Sequence, residues 1–415
     1  MHPASGQFRV VVNERGRHSL WPAEMKVPAG WRETLAARSR GECLDYVRRS
    51  WTELRVKPRQ AKTTMDFGLM FFGGDEGDAA REKYEWVIDV ARFADAHGFA
   101  AVWLPERHFT RMGSLFPNPA VLHAALARET KRIRLRSGSV VLPLNNPIRV
   151  AEEWALVDNL SNGRVELSYA SGWNAEDFAL APGTYAQRYE TMFARIKEVE
   201  QLWSGASLAY PDGTGQSVSI RTYPTPVQKK LPIWLTAAGS PKTFEKAGEL
   251  GANVLTHLFD QGVDELAEKI GIYRAALEKH GWGAEHGKVA VTLHAFLADD
   301  LEQVRKHAYQ PYCEYLKSNM KLLEKLAQSR NVPIDIGKLS PAELNAAIEW
   351  IFDKFLRQRS LLGTPDGCVD LVKQLVAAGV QEIACLIDFG PSSQAVLDSL
   401  PKLDQLKNRF QAHDA

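Results

Sequence analysis

From Met65 onward the sequence alternates short apolar runs with longer amphipathic segments, and this alternation limits the possible folds more than any other feature. The apolar runs are typical of buried strands, and the segments between them of helices. Eight such runs begin near residues 66, 100, 133, 164, 231, 252, 288 and 381. Eight strand–helix units predict an α/β fold of the (β/α)8 TIM barrel type. An open doubly wound sheet is the alternative, but no GxGxxG motif follows any strand.

The residues before this alternation have a different pattern. The first residues predict two short strands around a turn at residues 13–16, because Phe8, Val10 and Val12 recur at every second position as in a half-buried strand. A short helical pattern follows. A polar stretch with the composition of an exposed linker comes next. We therefore predict a small α+β domain at residues 1–58 and a barrel at residues 65–415. The barrel is expected to carry a helical insertion at 300–360.

Composition excludes several functional classes. Fifty-one Lys and Arg residues face 50 Asp and Glu residues, so the net charge of +1 predicts no nucleic-acid partner. No apolar run reaches the length of about 18 residues that a membrane span needs, and the first residues lack the apolar centre of a signal peptide. The four cysteines are scattered and show no metal-ligand spacing. We expect a cytoplasmic protein without a metal site or a membrane partner.

The fifth strand ends in a turn of small residues that leads directly into a helix. The turn is Ala238, Gly239 and Ser240, and Thr243 follows in the first helical turn. Free backbone N–H groups and the helix dipole make such a turn a binding site for an anion, and a phosphate is a natural ligand. Plain N-capping by Ser240 is the alternative interpretation.

Other strand ends carry polar or small residues at the same edge of the barrel. The second strand is followed by Glu106, Arg107 and His108, for which a surface ion pair and a packed histidine are the alternative. Gly138 and Ser139 lie in the third strand, where small residues either relieve crowding inside the barrel or leave room for a flat ring. A phosphorylated planar cofactor against strands three to five would explain these features together. FMN fits, although the spacing does not separate FMN from another phosphorylated ligand.

Four long segments resemble the bacterial luciferase-like flavin monooxygenases. They are FAAVWLPERHF, LRSGSVVLPLNNPIRVAEEWALVDNLSNGRVELSYASGWNAEDF, QRYETMFARIKEVEQLW and PIWLTAAGSPKTFEKAGELGANVLT. Within this family, the sequence is most similar to the luciferase-like monooxygenase domains found in natural-product assembly lines. The resemblance implies a (β/α)8 barrel, reduced FMN delivered by a separate NAD(P)H:flavin reductase, O2 as co-substrate, and a homodimer.

The same resemblance implies a set of cofactor-binding residues at the strand ends. They are Gly138, Ser139, Glu152, Ala170, Ser171, Asn174, Tyr189, Ala238, Gly239, Ser240 and Thr243. Gly138 and Ser139 match the place of a non-prolyl cis peptide beside the flavin ring. Glu152 matches a buried acid that supports this region.

The second strand departs from the luciferase pattern. True luciferases have two consecutive histidines there, the first acting as a base, whereas this chain has Arg107 followed by His108. Because arginine does not act as a base at neutral pH, aldehyde oxidation with light emission is not expected. Arg107 is predicted to hold a negative charge and His108 to transfer a proton. A packed ring is the alternative for His108.

The N-terminal unit resembles the MbtH-like proteins over the segment FRVVVNERGRHSLWPAEMKVPAGWRETLAARSRGECLDYVRRSWTELRV. Such proteins bind the adenylation domains of nonribosomal peptide synthetases. The predicted partner-binding residues are Ser19, Leu20, Trp21, Pro22 and Trp31. The resemblance implies that the two tryptophans grip a small side chain of the partner. The alternative is that they fill a small core.

Together these patterns predict an FMNH2-dependent monooxygenase of nonribosomal peptide biosynthesis. Its expected substrate is an aminoacyl group bound to a carrier protein, and its expected partner is an adenylation domain. Two alternatives remain at this point. The chain could be a non-catalytic adaptor with an inactive barrel, or a deazaflavin-dependent oxidoreductase or free-acid oxidase on the same barrel.

Overall fold

The chain divides into two compact units, Met1–Lys62 and Thr63–Ala415. The computed structural model describes residues 7–13, 18–27, 30–50, 64–73, 80–110, 115–259, 261–318, 352 and 358–411. Each unit is described by itself below. The predicted domain limits, 1–58 and 65–415, stay predictions.

The N-terminal unit is a three-stranded antiparallel sheet with one helix. Strand β1 (Phe8–Asn13) lies between β2 (His18–Pro22) and β3 (Trp31–Arg38). The sequence pattern predicted the first two strands but missed β3, because its residues are only half-buried or exposed and show no clear apolar alternation. The turn predicted between β1 and β2 lies outside the described residues.

Helix α1 (Arg40–Ser50) completes the small unit. The side chain of Glu42 accepts hydrogen bonds from the backbone N–H of Ser39 at 3.1 Å and from its hydroxyl at 2.6 Å. The Ser39 hydroxyl in turn accepts from the N–H of Glu42 at 3.4 Å. This reciprocal arrangement is a capping box, and it fixes the start of the helix. Cys43 is fully buried, and its thiol donates to the carbonyl of Phe8, which joins the helix to the sheet.

The larger unit is a closed parallel barrel, so the predicted (β/α)8 fold is confirmed. Its strands in chain order are β4 (Asp66–Met70), β5 (Ala101–Leu104), β6 (Arg134–Ser137), β8 (Val165–Ala170), β11 (Ile233–Thr236), β12 (Asn253–His257), β13 (Val289–Leu297) and β15 (Glu382–Leu386). The ring closes because β8 pairs with β11 and β15 pairs with β4. Two further short strands pair with the barrel, β7 (Val140–Val141) with β8 and β14 (Leu361–Gly363) with β13.

Helices surround the barrel and bury their apolar faces against it. They are α2 (Ala80–Ala96), α3 (Pro119–Glu129), α4 (Pro147–Ser161), α5 (Arg188–Trp203), α6 (Pro241–Leu250), α7 (Val263–Lys279), α8 (Leu301–Val304), α9 (Gln310–Ser318), α10 (Val369–Ala377) and α11 (Ser393–Asn408). After α5, β9 (Leu208–Pro211) and β10 (Ser217–Ile220) form an antiparallel hairpin. Most of the predicted helical insertion, residues 319–351 and 353–357, lies outside the described residues. Within the described ranges, no helix combines the length and the apolar character that crossing a bilayer requires.

The interior of the barrel contains a buried charged group that sequence reasoning missed. The Arg136 guanidinium donates to Glu166 at 2.7 Å and to Glu382 at 2.6 Å. The rings of Trp103 and Trp234 both lie against it, with centroids 4.8 and 4.5 Å from the guanidinium carbon, and the two rings contact each other edge-on. Each indole N–H also donates to one of the two carboxylates. All of these charges are paired, which a buried ion requires.

Candidate active site

Glu106 organises the end of the second barrel strand. Its backbone N–H donates to the carbonyl of Ser139 at 3.2 Å, and its carboxylate accepts from the backbone N–H of Val141 at 2.7 Å. The side-chain amide of Asn145 also donates to this carboxylate at 2.9 Å. Glu106 is only 7% exposed, so these are buried, charge-assisted hydrogen bonds. It therefore holds the segment that follows the third strand.

The assignment of Glu152 as the buried supporting acid is wrong. Its side chain is 38% exposed on α4 and lies 4.0 Å from Arg149. The position shares the helix with Trp154, which does face the barrel and is 2% exposed. The acid that supports the third strand end is Glu106, which sequence analysis placed at the mouth of the barrel, with a surface ion pair as the alternative. The sequence feature that pointed to Glu106 was its position directly after a fully buried strand and a proline.

The peptide bond between Gly138 and Ser139 is cis, the geometry that the resemblance implies at this place. The Ser139 hydroxyl hydrogen-bonds to the hydroxyl of Ser168 at 3.0 Å and also to that of Thr236. Ser168 and Thr236 are themselves 2.9 Å apart. Three hydroxyls, from β8, from β11 and from the segment between β6 and β7, thus form one cluster at the mouth of the barrel. Sequence reasoning named Ser139 and missed the other two.

Arg107 lies between two aromatic rings at the same mouth. Its guanidinium carbon is 5.0 Å from the ring centroid of Phe72 and 5.1 Å from that of Trp173. Arg107 is buried, while Trp173 is largely exposed. Such cation–π stacking favours a planar guanidinium over the point charge of a lysine. The arrangement keeps a positive charge at the site where the sequence predicted one.

His108 is fixed by the acid two residues before it. Its Nε2 atom lies 3.1 Å from Oε1 of Glu106. A carboxylate only accepts hydrogen bonds, so Nε2 carries the proton and Nδ1 is the basic atom of the neutral ring. The side chain is 12% exposed, which leaves access from the mouth. The geometry suits proton transfer better than the packed-ring alternative.

The turn of residues 238–240 leads into α6 as expected. Ser240 occupies the N-cap position, but its side chain makes no capping hydrogen bond, so the plain capping alternative does not describe it. In the part of the chain that the structure covers, the N–H groups of Gly239 and Ser240 have no acceptor. Thr243 is buried, and its hydroxyl lies 3.4 Å from that of Tyr189. These donors suit a phosphate group.

The remaining predicted cofactor residues follow the fourth strand. Ala170 ends β8 and pairs with Val141, which places it beside the segment held by Glu106. Ser171 is half-buried. The side chain of Asn174 donates to Asp177 at 2.7 Å, so part of its hydrogen-bonding capacity is used within its own loop.

Asp388 closes the mouth at the end of the eighth strand. Its Oδ1 atom accepts the backbone N–H of Phe72 at 2.8 Å. Burial raises the pKa of Asp388 to about 7, although hydrogen bonds from the N–H groups of Phe72 and Gly73 lower it. Through this contact it fixes the backbone of the residue whose ring stacks on Arg107.

The predicted partner-binding residues lie on the strands of the N-terminal unit. Trp21 on β2 is paired with Arg9, and Trp31 on β3 is paired with Asn13. Arg9 and Asn13 are four residues apart on β1, so the two tryptophans project from the same face of the sheet. Both are half-buried, while Pro22 is exposed. Ser19 and Leu20 precede Trp21 on β2.

The family comparison decides the identity of the larger unit. The family model described as luciferase-like monooxygenase matches residues 65–382, more than three quarters of the chain. The chain belongs to the luciferase-like monooxygenase family. A second model, described as MbtH-like protein, matches residues 2–65 of this luciferase-like monooxygenase. Both predicted resemblances are thereby confirmed.

Individual proteins agree with this assignment. The oxygenase component of the flavin-dependent trigonelline monooxygenase of Acinetobacter baylyi is 29% identical to the luciferase-like monooxygenase described here over 331 residues, 78% of this chain and 88% of that protein. Among solved structures, the monooxygenase RslO1 from Streptomyces bottropensis has a TM-score of 0.69 at 20% identity, covering 84% of this chain and 100% of that one. The FMN-bound oxygenating constituent of 3,6-diketocamphane monooxygenase from Pseudomonas putida has a TM-score of 0.64 at 20% identity, covering 83% and 96%. These two structures support the fold.

Proposed function

We propose that this protein is an FMNH2-dependent monooxygenase that hydroxylates an aminoacyl group during nonribosomal peptide biosynthesis. The observation that carries this proposal is the presence of both family matches in one chain. An MbtH-like unit binds an adenylation domain, which activates an amino acid. A monooxygenase covalently joined to that unit is delivered to the same assembly line. The most economical substrate is therefore the activated residue on its carrier protein.

The residues at the barrel mouth fit reduced FMN. The 238–240 turn, with Thr243 and Tyr189, supplies donors for the phosphate. The segment at Gly138 and Ser139, supported by Glu106, borders the place of a flat ring. Bound reduced FMN, delivered by a flavin reductase, supplies the electrons that activate O2. The trigonelline monooxygenase is named as an oxygenase component, which supports such a two-component system.

The chain's own residues supply charge and proton transfer in this proposal. Arg107 holds an anionic oxygen species or an anionic part of the substrate through electrostatic attraction. Phe72 and Trp173 both contact its guanidinium, and Arg107 is only 5% exposed, so little of it meets water. His108 accepts or returns a proton at Nδ1, because Glu106 holds Nε2. Exclusion of water is assigned to the loop 108–117 and the insertion 300–360, both partly outside the described residues.

A homodimer is also proposed for this chain. Exposed apolar side chains lie on two adjacent helices of the barrel, Val121 on α3 and Leu156 and Leu160 on α4. Burial of these side chains against a second copy would remove apolar surface from water. Light scattering of the purified chain measures the mass directly, and a monomeric mass at micromolar concentration contradicts the dimer.

The test of the function uses the purified chain with a flavin reductase, NADH, FMN and O2. A panel of aminoacyl carrier proteins is incubated with it, and the intact mass of each is followed. We expect a gain of one oxygen atom on one aminoacyl group, lost in Arg107→Ala and His108→Ala. A panel without any mass gain contradicts the proposal. Stimulation of adenylation without oxidation would support the alternative of a non-catalytic adaptor. Activity only with a reduced deazaflavin would support the alternative of a deazaflavin-dependent oxidoreductase.

A further inference from the structure

A buried polar chain connects helix α7 to the 238–240 turn. The Lys269 ammonium donates to Oε1 of Gln261 and to Oε1 of Glu265, both at 2.8 Å. The Gln261 amide nitrogen donates one hydrogen to the carbonyl of His257 at 2.6 Å, and it shares its second hydrogen between the hydroxyl of Thr256 at 3.1 Å and the turn. Gln261 is 1% exposed and Lys269 6% exposed, so the chain lies inside the protein.

The same amide nitrogen also reaches the turn itself. It lies 3.4 Å from the carbonyl oxygen of Ala238. The Ala238–Gly239 peptide is not among the cis bonds of the described chain, so it is trans. In a trans peptide the C=O and the following N–H point in opposite directions. A carbonyl held towards Gln261 therefore directs the Gly239 N–H away from Gln261, where it has no acceptor among the described residues.

Lys269 fixes which end of the Gln261 amide faces the turn. An ammonium group donates hydrogen bonds and accepts none, so the oxygen of the amide must face Lys269. The nitrogen is then left for the carbonyls of Ala238 and His257. Without the lysine, the buried amide oxygen would lose its charged donor, so the amide would be held less firmly against those carbonyls and the turn would lose part of its support.

We propose that Gln261 and Lys269 are positioning residues that orient the 238–240 turn for the phosphate of the flavin. This assignment rests on the proposed function, because it concerns the same cofactor. The two side chains act through the Ala238 peptide and do not touch the phosphate themselves. They favour a phosphorylated flavin over riboflavin.

Two variants test the assignment by binding rather than by activity. Gln261→Met removes the amide without a change in charge, and Lys269→Met removes the ammonium that orients it. Lys246→Met is the matched control, because Lys246 lies on α6 and pairs on the surface with Glu249. Anaerobic equilibrium dialysis with reduced FMN and reduced riboflavin gives the two dissociation constants. Their ratio measures the contribution of the phosphate.

We expect the preference for FMN over riboflavin to fall about tenfold in both Gln261→Met and Lys269→Met, a change of about 1.4 kcal/mol. Riboflavin binding should stay within twofold of the parent, and Lys246→Met should keep the parent preference. An unchanged preference for FMN in Gln261→Met overturns the assignment. This holds even if Lys269→Met and Lys246→Met both weaken FMN binding equally, because that result would reflect the lost positive charge alone. Should Lys269→Met fail to fold, Gln261→Met decides. A parent chain without any preference for FMN overturns the proposed cofactor and this assignment together.

Discussion

The carboxylate of Glu106 accepts the backbone N–H of Val141 at 2.7 Å, across 35 residues of chain. The backbone N–H of the same glutamate donates to Ser139, two residues before Val141. One residue therefore holds both sides of a short segment that follows the cis bond. The predicted cofactor ring borders this segment, so the shape of the site depends on Glu106.

Glu106→Gln should weaken flavin binding at least tenfold. The amide nitrogen of the new side chain would face the donors of Asn145 or His108, so one buried hydrogen bond is lost. The free energy of unfolding should fall by about 1–3 kcal/mol. Glu152→Gln is the control, and it should change the free energy of unfolding by less than about 0.5 kcal/mol, because the Glu152 side chain is on the surface. Equal effects in the two variants would contradict the role of Glu106. Urea unfolding and anaerobic flavin dialysis measure both quantities.

Arg107→Lys and His108→Gln should separate charge from proton transfer. A lysine keeps the charge but loses the stacking on Phe72 and Trp173, so more of the reduced flavin should be lost as hydrogen peroxide. His108→Gln should lower kcat by about 100-fold, the usual size of a general acid–base contribution. His280→Gln serves as the control, because His280 is exposed at the end of α7. The ratio of hydroxylated product to peroxide and the single-turnover rate check these outcomes. Values equal to those of the parent protein in both variants would contradict them.

Arg136→Met should destabilise the barrel by about 3–5 kcal/mol, because it leaves Glu166 and Glu382 buried without their partner. Arg134→Met is the matched control. Arg134 lies 3.6 Å from Glu166 and donates to the carbonyl of Gly163 at 3.0 Å, but its side chain is 43% exposed, and ion pairs at the surface contribute about 0–1 kcal/mol. Thermal and urea unfolding measure the difference. A loss in Arg136→Met as small as in the control would show that the charged group does not stabilise the barrel.

Stability should fall between pH 6.5 and 4 in part because of His123. Burial lowers the pKa of His123 to about 4, while its bond to the Arg136 carbonyl opposes this. In the unfolded chain the pKa is about 6.5, so between these values the unfolded state binds more protons and stability decreases as the pH falls. Buried His294, whose pKa is lowered to about 3, acts in the same direction. Asp388, with a raised pKa of about 7, acts in the opposite direction and favours folding at low pH.

His123→Gln removes one of these titrating groups and keeps a donor for the Arg136 carbonyl. The loss of unfolding free energy between pH 7 and pH 5 should be smaller in the variant by about 1–2 kcal/mol. His280→Gln, at the end of α7, serves as the control. Urea unfolding at several pH values gives the slope. An unchanged slope would mean that the pKa of His123 is the same in the folded and the unfolded protein.

Local patterns predicted most of the fold. The eight apolar runs became the eight barrel strands, and Pro147 opens α4 behind the N-cap Asn146 as such a pair should. The 238–240 turn was found because its signal is contiguous in sequence. Strand β3 was missed because a half-exposed edge strand carries little apolar alternation.

The rest of the site is non-local and left no sequence pattern. Ser168 and Thr236 contact Ser139 only because β6, β8 and β11 lie side by side in the barrel. The pairing of Arg136 with Glu382 spans 246 residues. Glu152 and Glu106 could not be ranked from sequence, because burial depends on which side of α4 faces the barrel. Closure of the barrel supplies this information.

The hydroxyl cluster at the mouth has a consequence for assembly. Ser139, Ser168 and Thr236 belong to the third, fourth and fifth strand units of the chain, so a division of the barrel into its first four and last four strands separates Thr236 from the other two. The cluster should therefore form only after these two halves of the barrel have joined. Uptake of a cofactor at this mouth would then report that the halves have assembled.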